Sequence, residues 1–220
     1  MSKGAAILAV GHGLADSTSP LTSLVAQIGE TLLANEGGWR VRRLSPLAGE
    51  CDGADRASWK RCLSELCEDD VETIVLALAG VVTIHAGEPC LVTGPDAARY
   101  PDEHSLPLAW ITERLRECAA DRVVVVASLE GPQGNGSQDT DWLDALATNR
   151  ARHVIATERS EGRALALHAL LAGARGAAID PKTGTITLRS LGDHLARNAP
   201  KAHLQISDES ATLASSPPLA

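Results

Sequence analysis

Short apolar runs alternate along the chain with longer stretches in which apolar residues recur every three or four positions, and this alternation predicts an α/β domain with a parallel sheet covered by helices on both faces. Residues 5–10 predict the first strand. Leu21, Leu24, Val25, Ile28 and Leu32 then fall on one face of a helical period of about 3.6 residues, and Gly37-Gly38 ends that helix. Residues 39–44 predict the second strand, and 54–66 a second helix with Trp59, Cys62, Leu63 and Leu66 on one stripe. The near-continuous apolar run 71–78 suits a central strand buried on both sides, as does 122–127 with its four consecutive valines. Between them lie a hairpin at 81–93, an Asp/Pro-rich stretch from Pro95 to Pro107, and a helix over 108–119. Further along, 131–141 has loop composition and 142–147 a short helical pattern. Residues 153–157 predict a fifth strand and 163–174 a helix closed by Gly176, while 185–188 with 191–195 finish the domain. From Ser207 the Ser/Ala/Pro-rich segment holds too little apolar surface to fold, so the expected organisation is one domain over 1–206 and a disordered tail or linker over 207–220.

Composition narrows the function classes. The chain has 220 residues, 44% of them apolar, with no Phe, one Tyr and four Trp, so its core is aliphatic and stacking platforms for bases are scarce. A formal charge of −8 opposes binding to phosphate backbones, which requires Lys and Arg to neutralise them; nucleic acid and anionic membrane are therefore excluded as expected partners. The apolar run at 5–10 is too short for a signal-peptide core or a membrane span, which gives the expectation of a cytoplasmic protein. Cys51, Cys62, Cys67, Cys90 and Cys118 are odd in number and contain no Cys-x-x-Cys pair. That argues against a disulfide framework and a zinc site, and for small core residues in a reducing compartment.

Residues 74–96 carry the most informative pattern. An apolar strand from Ile74 to Leu78 leads into Ala79-Gly80-Val81-Val82, then a hairpin, a second apolar strand from Cys90 to Thr93, and Asp96. This segment resembles the one that holds the catalytic histidine of caspase-like cysteine peptidases, where the signature is Ser/Ala-Gly-His-Gly. Val81 stands at the histidine position, and a valine can neither take nor give a proton. The resemblance, to the bacterial and metacaspase-related branch of the family, extends over roughly residues 5–205. It includes Ala6-Ile7-Leu8-Ala9-Val10-Gly11 with Pro20-Leu21, the strand from Trp39 to Leu44, the helix from Leu165 to Gly173, and the closing stretch Ile179-Asp180 to Leu188 and Leu191. It implies a caspase-like three-layer sandwich with a mostly parallel six-stranded sheet. In the family the fourth strand ends in Asp-Ala-Cys or Asp-Cys-Cys, the last Cys being the nucleophile. Here the valines run into Ala127-Ser128-Leu129-Glu130-Gly131, so the Asp becomes Ala127 and the nucleophile position is Leu129, or Ser128 if the turn shifts by one. A nucleophile and its base act as a unit, and both are replaced.

The remaining candidates read as structural. Gly11-His12-Gly13 repeats the letters of the histidine signature after the first strand, and two strand spacings of ~4.8 Å would separate His12 from Ser128. His85 lies on the hairpin, and Cys90 would need a lowered pKa and a nearby base to act. Asp180-Pro-Lys-Thr-Gly184 has the opening of a calcium loop, but Lys182 and Leu191 occupy positions that need oxygen ligands. Glu65, Glu68, Asp69, Asp70 and Glu72 form a solvated helix end, and the glycines of 131–136 lack the Gly-Lys-Ser/Thr of a phosphate loop.

The resulting expectation is a catalytically inactive pseudopeptidase with no metal and no cofactor. It would act through a protein or peptide partner held in the cleft, or through self-association along the sheet edge. Val81, Val82, Asp96, Ala127 and Ser128 are its candidate cleft lining. The rival expectation is a residual or unconventional endopeptidase that uses Ser128 or Cys90.

Overall fold

Strands whose residues are apolar on both faces can be buried on both faces only between two helical layers, and this chain builds that arrangement. A computed structural model describes residues 4–11, 20–34, 38–45, 55–68, 70–131, 146, 153–159, 164–207 and 212–214. The first half runs β1 (Gly4–Val10), α1 (Pro20–Ala34), β2 (Trp39–Leu44), α2 (Arg56–Glu68), β3 (Thr73–His85) and β4 (Glu88–Val92). A four-residue α3 (Pro101–His104), β5 (Ser105–Pro107), α4 (Leu108–Glu117) and β6 (Arg122–Glu130) follow. The last part is β7 (His153–Arg159), α5 (Leu165–Ala172), β8 (Ile179–Asp180), β9 (Thr185–Thr187), α6 (Leu188–Asn198), β10 (His203–Ser207) and β11 (Thr212–Ala214).

Six strands form the main sheet in the order β10-β7-β6-β3-β1-β2, with β4 and β5 added through β3. The pairings β2–β1, β1–β3, β3–β6 and β6–β7 are parallel, and β10 runs antiparallel to β7. On one face Ile7, Ile74, Leu76, Leu78, Val123 and Val125 are sealed by α2 and α4. On the other, Leu8, Val75, Ala77, Val124 and Val126 are sealed by α1, α5 and α6. Each fully buried Leu or Ile adds roughly 1.5–3 kcal/mol over its exposed state, so the double-sided aliphatic core carries the fold without a single Phe.

Local chemistry sets the element ends. Asp55 Oδ1 accepts the Ser58 N–H at 2.8 Å, so α2 starts at Arg56 and not at the expected residue 54. That hydrogen bond holds the Asp55 carboxyl below the usual carboxylate range. Helix α5 stops short of the expected residue 174, passing into a π-turn over Gly173–Ala177 in which Gly176 takes φ 109. Thr187 caps α6 reciprocally with Ser190.

Three sequence expectations need correction. The segments 185–188 and 191–195, expected to finish the domain, do not do so: β9 belongs to a small sheet with β8 and β11, Leu188 starts α6, and β10 follows. The sixth strand is β10, whose Leu204 and Ile206 lie on the α6 side, with Ile206 seated against Gly192 where any Cβ would collide with it. And Thr212–Ala214, in the stretch expected to stay unfolded, pairs with β9 through its backbone, an interaction that apolar content does not register. His12, Cys51, most of the 131–141 loop and all of 142–147 except the buried Leu146 lie outside the described residues.

His194 gives the fold a pH signature. It sits on α6 beside Gly173, buried, with no hydrogen bond at Nε2 and Asn198 Nδ2 3.3 Å from Nδ1. Burial pushes its imidazole below the usual histidine range; the Ala169 carbonyl opposes the shift and Arg197 adds to it. Below about pH 6.5 the unfolded chain takes a proton that the folded ring resists, so this site is fully stabilising above that pH and loses its contribution as pH falls towards the folded value. Denaturant midpoints measured between pH 8 and 5 should therefore converge for the wild type and His194→Gln as pH drops. Parallel profiles would show that the ring titrates normally.

Candidate functional site

The carboxyl edge of the sheet, where open α/β folds place their sites, is shaped by β3 running beyond its neighbours. From Val82 to His85 it pairs antiparallel with β4 across a two-residue turn, Ala86-Gly87, both at positive φ (51 and 84). This returns Leu91 over Gly80, where a Cβ would collide with Leu91 Cδ1. Leu91, Leu106, Val82 and Leu129 belong to one buried cluster, so apolar packing fills the α2/α4 side of the edge.

Register then decides which candidate residues share a face. Ala79 pairs with Ser128, Gly80 with Leu129 and Val81 with Glu130. Successive side chains alternate across the sheet, so Val81 and Ser128 lie on the α5 side, while Val82, Ala127 and Leu129 lie on the other. Val81 is half-buried, whereas Val82, Ala127, Ser128 and Leu129 are buried. The two alternatives for the nucleophile position thus point to opposite faces, and only Ser128 shares that of Val81. Asp96 joins neither group: it is exposed in the turn after β4, where its carbonyl accepts the N–H groups of Arg99 and Tyr100 at 2.9 and 2.8 Å. The structure therefore brings Val81 and Ser128 together and separates the other three expected cleft residues from them.

Ser128 has a partner that sequence reasoning missed. Its Oγ donates to Glu158 Oε1, and the same oxygen accepts the Ala166 N–H at 2.9 Å. Glu158 lies opposite Ser128 in the β6–β7 register and is itself buried. Its carboxylate sits in the first turn of α5, where unpaired N–H groups and the helix dipole favour negative charge. Ala164, just ahead of the helix, takes the left-handed conformation (φ 43, ψ 48), uncommon for a residue with a side chain. The serine hydroxyl is thus committed to a carboxylate and closed to solvent. The available signal was a lone acid at the end of an apolar strand, one residue past where the pattern ends at 157.

The other nucleophile candidate is also subdued. Cys90 is buried on β4 with its Sγ 3.6 Å from the Glu88 carbonyl; burial first, then the Glu88 charge, pushes the thiol up, away from the reactive thiolate. His85 Nε2 lies 3.6 Å from Asp102 Oδ1 at the hairpin. It is six residues along β3 from Ala79, the register partner of Ser128, or roughly 20 Å. Asp180 Oδ1 accepts the Lys182 N–H at 2.8 Å, which makes the 180–184 segment a turn between β8 and β9. Among the described residues no group of three or more His, Cys, Asp or Glu is placed to hold a metal, and no helix is long and apolar enough to cross a membrane.

Comparison with solved structures places this architecture. The chain is similar to the Drosophila initiator caspase Dronc, with a TM-score of 0.60 and 8% identity over 99% of this chain and 85% of that one. It is also similar to caspase-1 from Spodoptera frugiperda, with a TM-score of 0.58 and 11% identity over 99% of this chain and 91% of that one. No protein-family model and no curated protein matches the chain. At such low identity the likeness concerns backbone architecture, and on that evidence the fold is caspase-like.

Proposed function

We propose that the chain is a catalytically inactive caspase-like pseudopeptidase that works by binding another protein or peptide. One observation carries this reading: the hydroxyl that could replace the missing thiol is buried and donates to Glu158, while Val81 beside it supplies no base. Covalent catalysis needs a nucleophile that the substrate can reach, and the Ser128 hydroxyl is closed to solvent. In this proposal the binding unit is residues 1–206 together with β11, which pairs back onto β9.

Two surfaces suit a partner. At the carboxyl edge, half-buried Val81 and exposed Leu165, the first residue of α5, offer apolar contact on the face that Val82 and Leu91 leave open. Along β10, beyond which no further strand pairs among the described residues, an extended segment or a second copy could add to the sheet. Neither surface calls for a cofactor, and the −8 charge supports a protein over a nucleic acid.

The purified chain should hydrolyse no peptide, whether the residue before the scissile bond is acidic or basic, and an organophosphorus serine probe should leave its intact mass unchanged. Turnover that vanished in Ser128→Ala or Cys90→Ala would establish the rival endopeptidase instead.

The two valines should respond differently to truncation. Val82→Ala empties part of the Leu91–Leu129 cluster and should cost roughly 1–3 kcal/mol in chemical denaturation, whereas Val81→Ala should cost less than about 1 kcal/mol. A loss at Val81 equal to that at Val82 would mean that Val81 is core and would remove it from the proposed binding surface.

A further inference from the structure

Cys67 and Cys118 stand about fifty residues apart in the chain, yet the fold brings them to one place, at the amino end of the sheet where α2 and α4 finish. Cys67 Sγ lies 3.2 Å from the Arg114 carbonyl and Cys118 Sγ 3.0 Å from the Leu115 carbonyl, so both thiols converge on adjacent carbonyls in the last turn of α4. The backbones are coupled as well, since the Ala119 N–H donates to the Cys67 carbonyl at 3.4 Å. That hydrogen bond runs from the residue after Cys118 to Cys67 itself, so the end of α2 and the end of α4 touch through their backbones at these two residues. A disulfide needs Cα atoms about 4.4–6.8 Å apart and side chains on the same side; the backbone contact and the two thiols on consecutive carbonyls of α4 bring this pair within reach of that geometry.

We infer that Cys67 and Cys118 form a reversible, peroxide-driven disulfide that staples α2 to α4. Cys67 is half-buried and Cys118 is buried, so Cys67 is the sulfur that meets the oxidant. Its thiolate attacks one oxygen of hydrogen peroxide: the O–O bond breaks, a sulfenic acid forms, and the displaced oxygen leaves as water after taking a proton. The Cys118 sulfur then attacks the Cys67 sulfur, the S–O bond breaks, the S–S bond forms, and a second water departs. Two thiols are oxidised and one peroxide is reduced to two waters. The bond closes a long loop, restricts the unfolded chain, and fixes the helical layer over the α2/α4 face. This device is independent of whether the carboxyl edge binds a partner.

The test treats folded, fully reduced wild-type protein with hydrogen peroxide and, separately, with diamide. Remaining thiols are alkylated and peptides are mapped without reduction. The expected product is a monomer carrying one Cys67–Cys118 link, lighter by two hydrogens, reversed by dithiothreitol, and melting higher than the reduced form. Cys67→Ser and Cys118→Ser should each abolish both the link and the rise in melting temperature. The inference is overturned if neither reagent yields the link in the wild type, if Cys67 accumulates sulfinic acid without cross-linking, or if the dominant bond joins other cysteines. The wild-type map decides even if a variant fails to fold.

Discussion

An unbroken parallel register locks β3 to β6 from Thr73 with Arg122 up to Val81 with Glu130, and the rest of the carboxyl edge depends on it. Because a strand turns its side chains to alternate faces, that register leaves no freedom in which residues meet. It places Gly80 and Leu129 under Leu91, and it places Ala79, Ser128 and Val81 towards α5. A slip of β3 by one residue would turn Val81 towards the leucine cluster and Val82 towards α5.

Given that register, the two sides of the edge reach different solutions. The α2/α4 side is filled with aliphatic packing from Val82, Leu91, Leu106 and Leu129. The α5 side carries a buried carboxylate, which costs several kcal/mol to remove from water unless it is well bonded. Glu158 is bonded by the Ser128 hydroxyl and the Ala166 N–H in the first turn of a helix, so strand β6, strand β7 and helix α5 are tied at one oxygen. The same hydrogen bond that offsets the burial of Glu158 holds the Ser128 hydroxyl inside the fold, closed to solvent.

The amino-acid pattern made the layers legible because the central strands are short, near-continuous apolar runs while α1, α2 and α4 carry their apolar residues at a period near 3.6. The resemblance of residues 74–96 to the histidine segment of caspase-like peptidases was legible too, since it rests on residue identities and spacing along the chain. What stayed hidden depends on partners distant in sequence. Leu129 and Ser128 were equivalent alternatives until the register separated them. Glu158, one residue past the strand expected over 153–157, acquires a role only through its partners Ser128 and Ala166. Strand β10 is short and polar at alternate positions, and backbone pairing with β7 places it more than hydrophobicity does. Asp96 matched its motif by spacing, but the turn after β4 carries it into solvent.

The central claim is that Ser128 is a structural donor to Glu158 and not a latent nucleophile. A double-mutant cycle with Ser128→Ala, Glu158→Met and the combined variant, read by chemical denaturation, tests this most directly. A hydrogen bond to a buried carboxylate predicts a coupling of about 1–3 kcal/mol, with the double variant less destabilised than the sum of the singles. Single losses that add to within about 0.5 kcal/mol would contradict the account, because they would mean that the hydroxyl is not committed to Glu158.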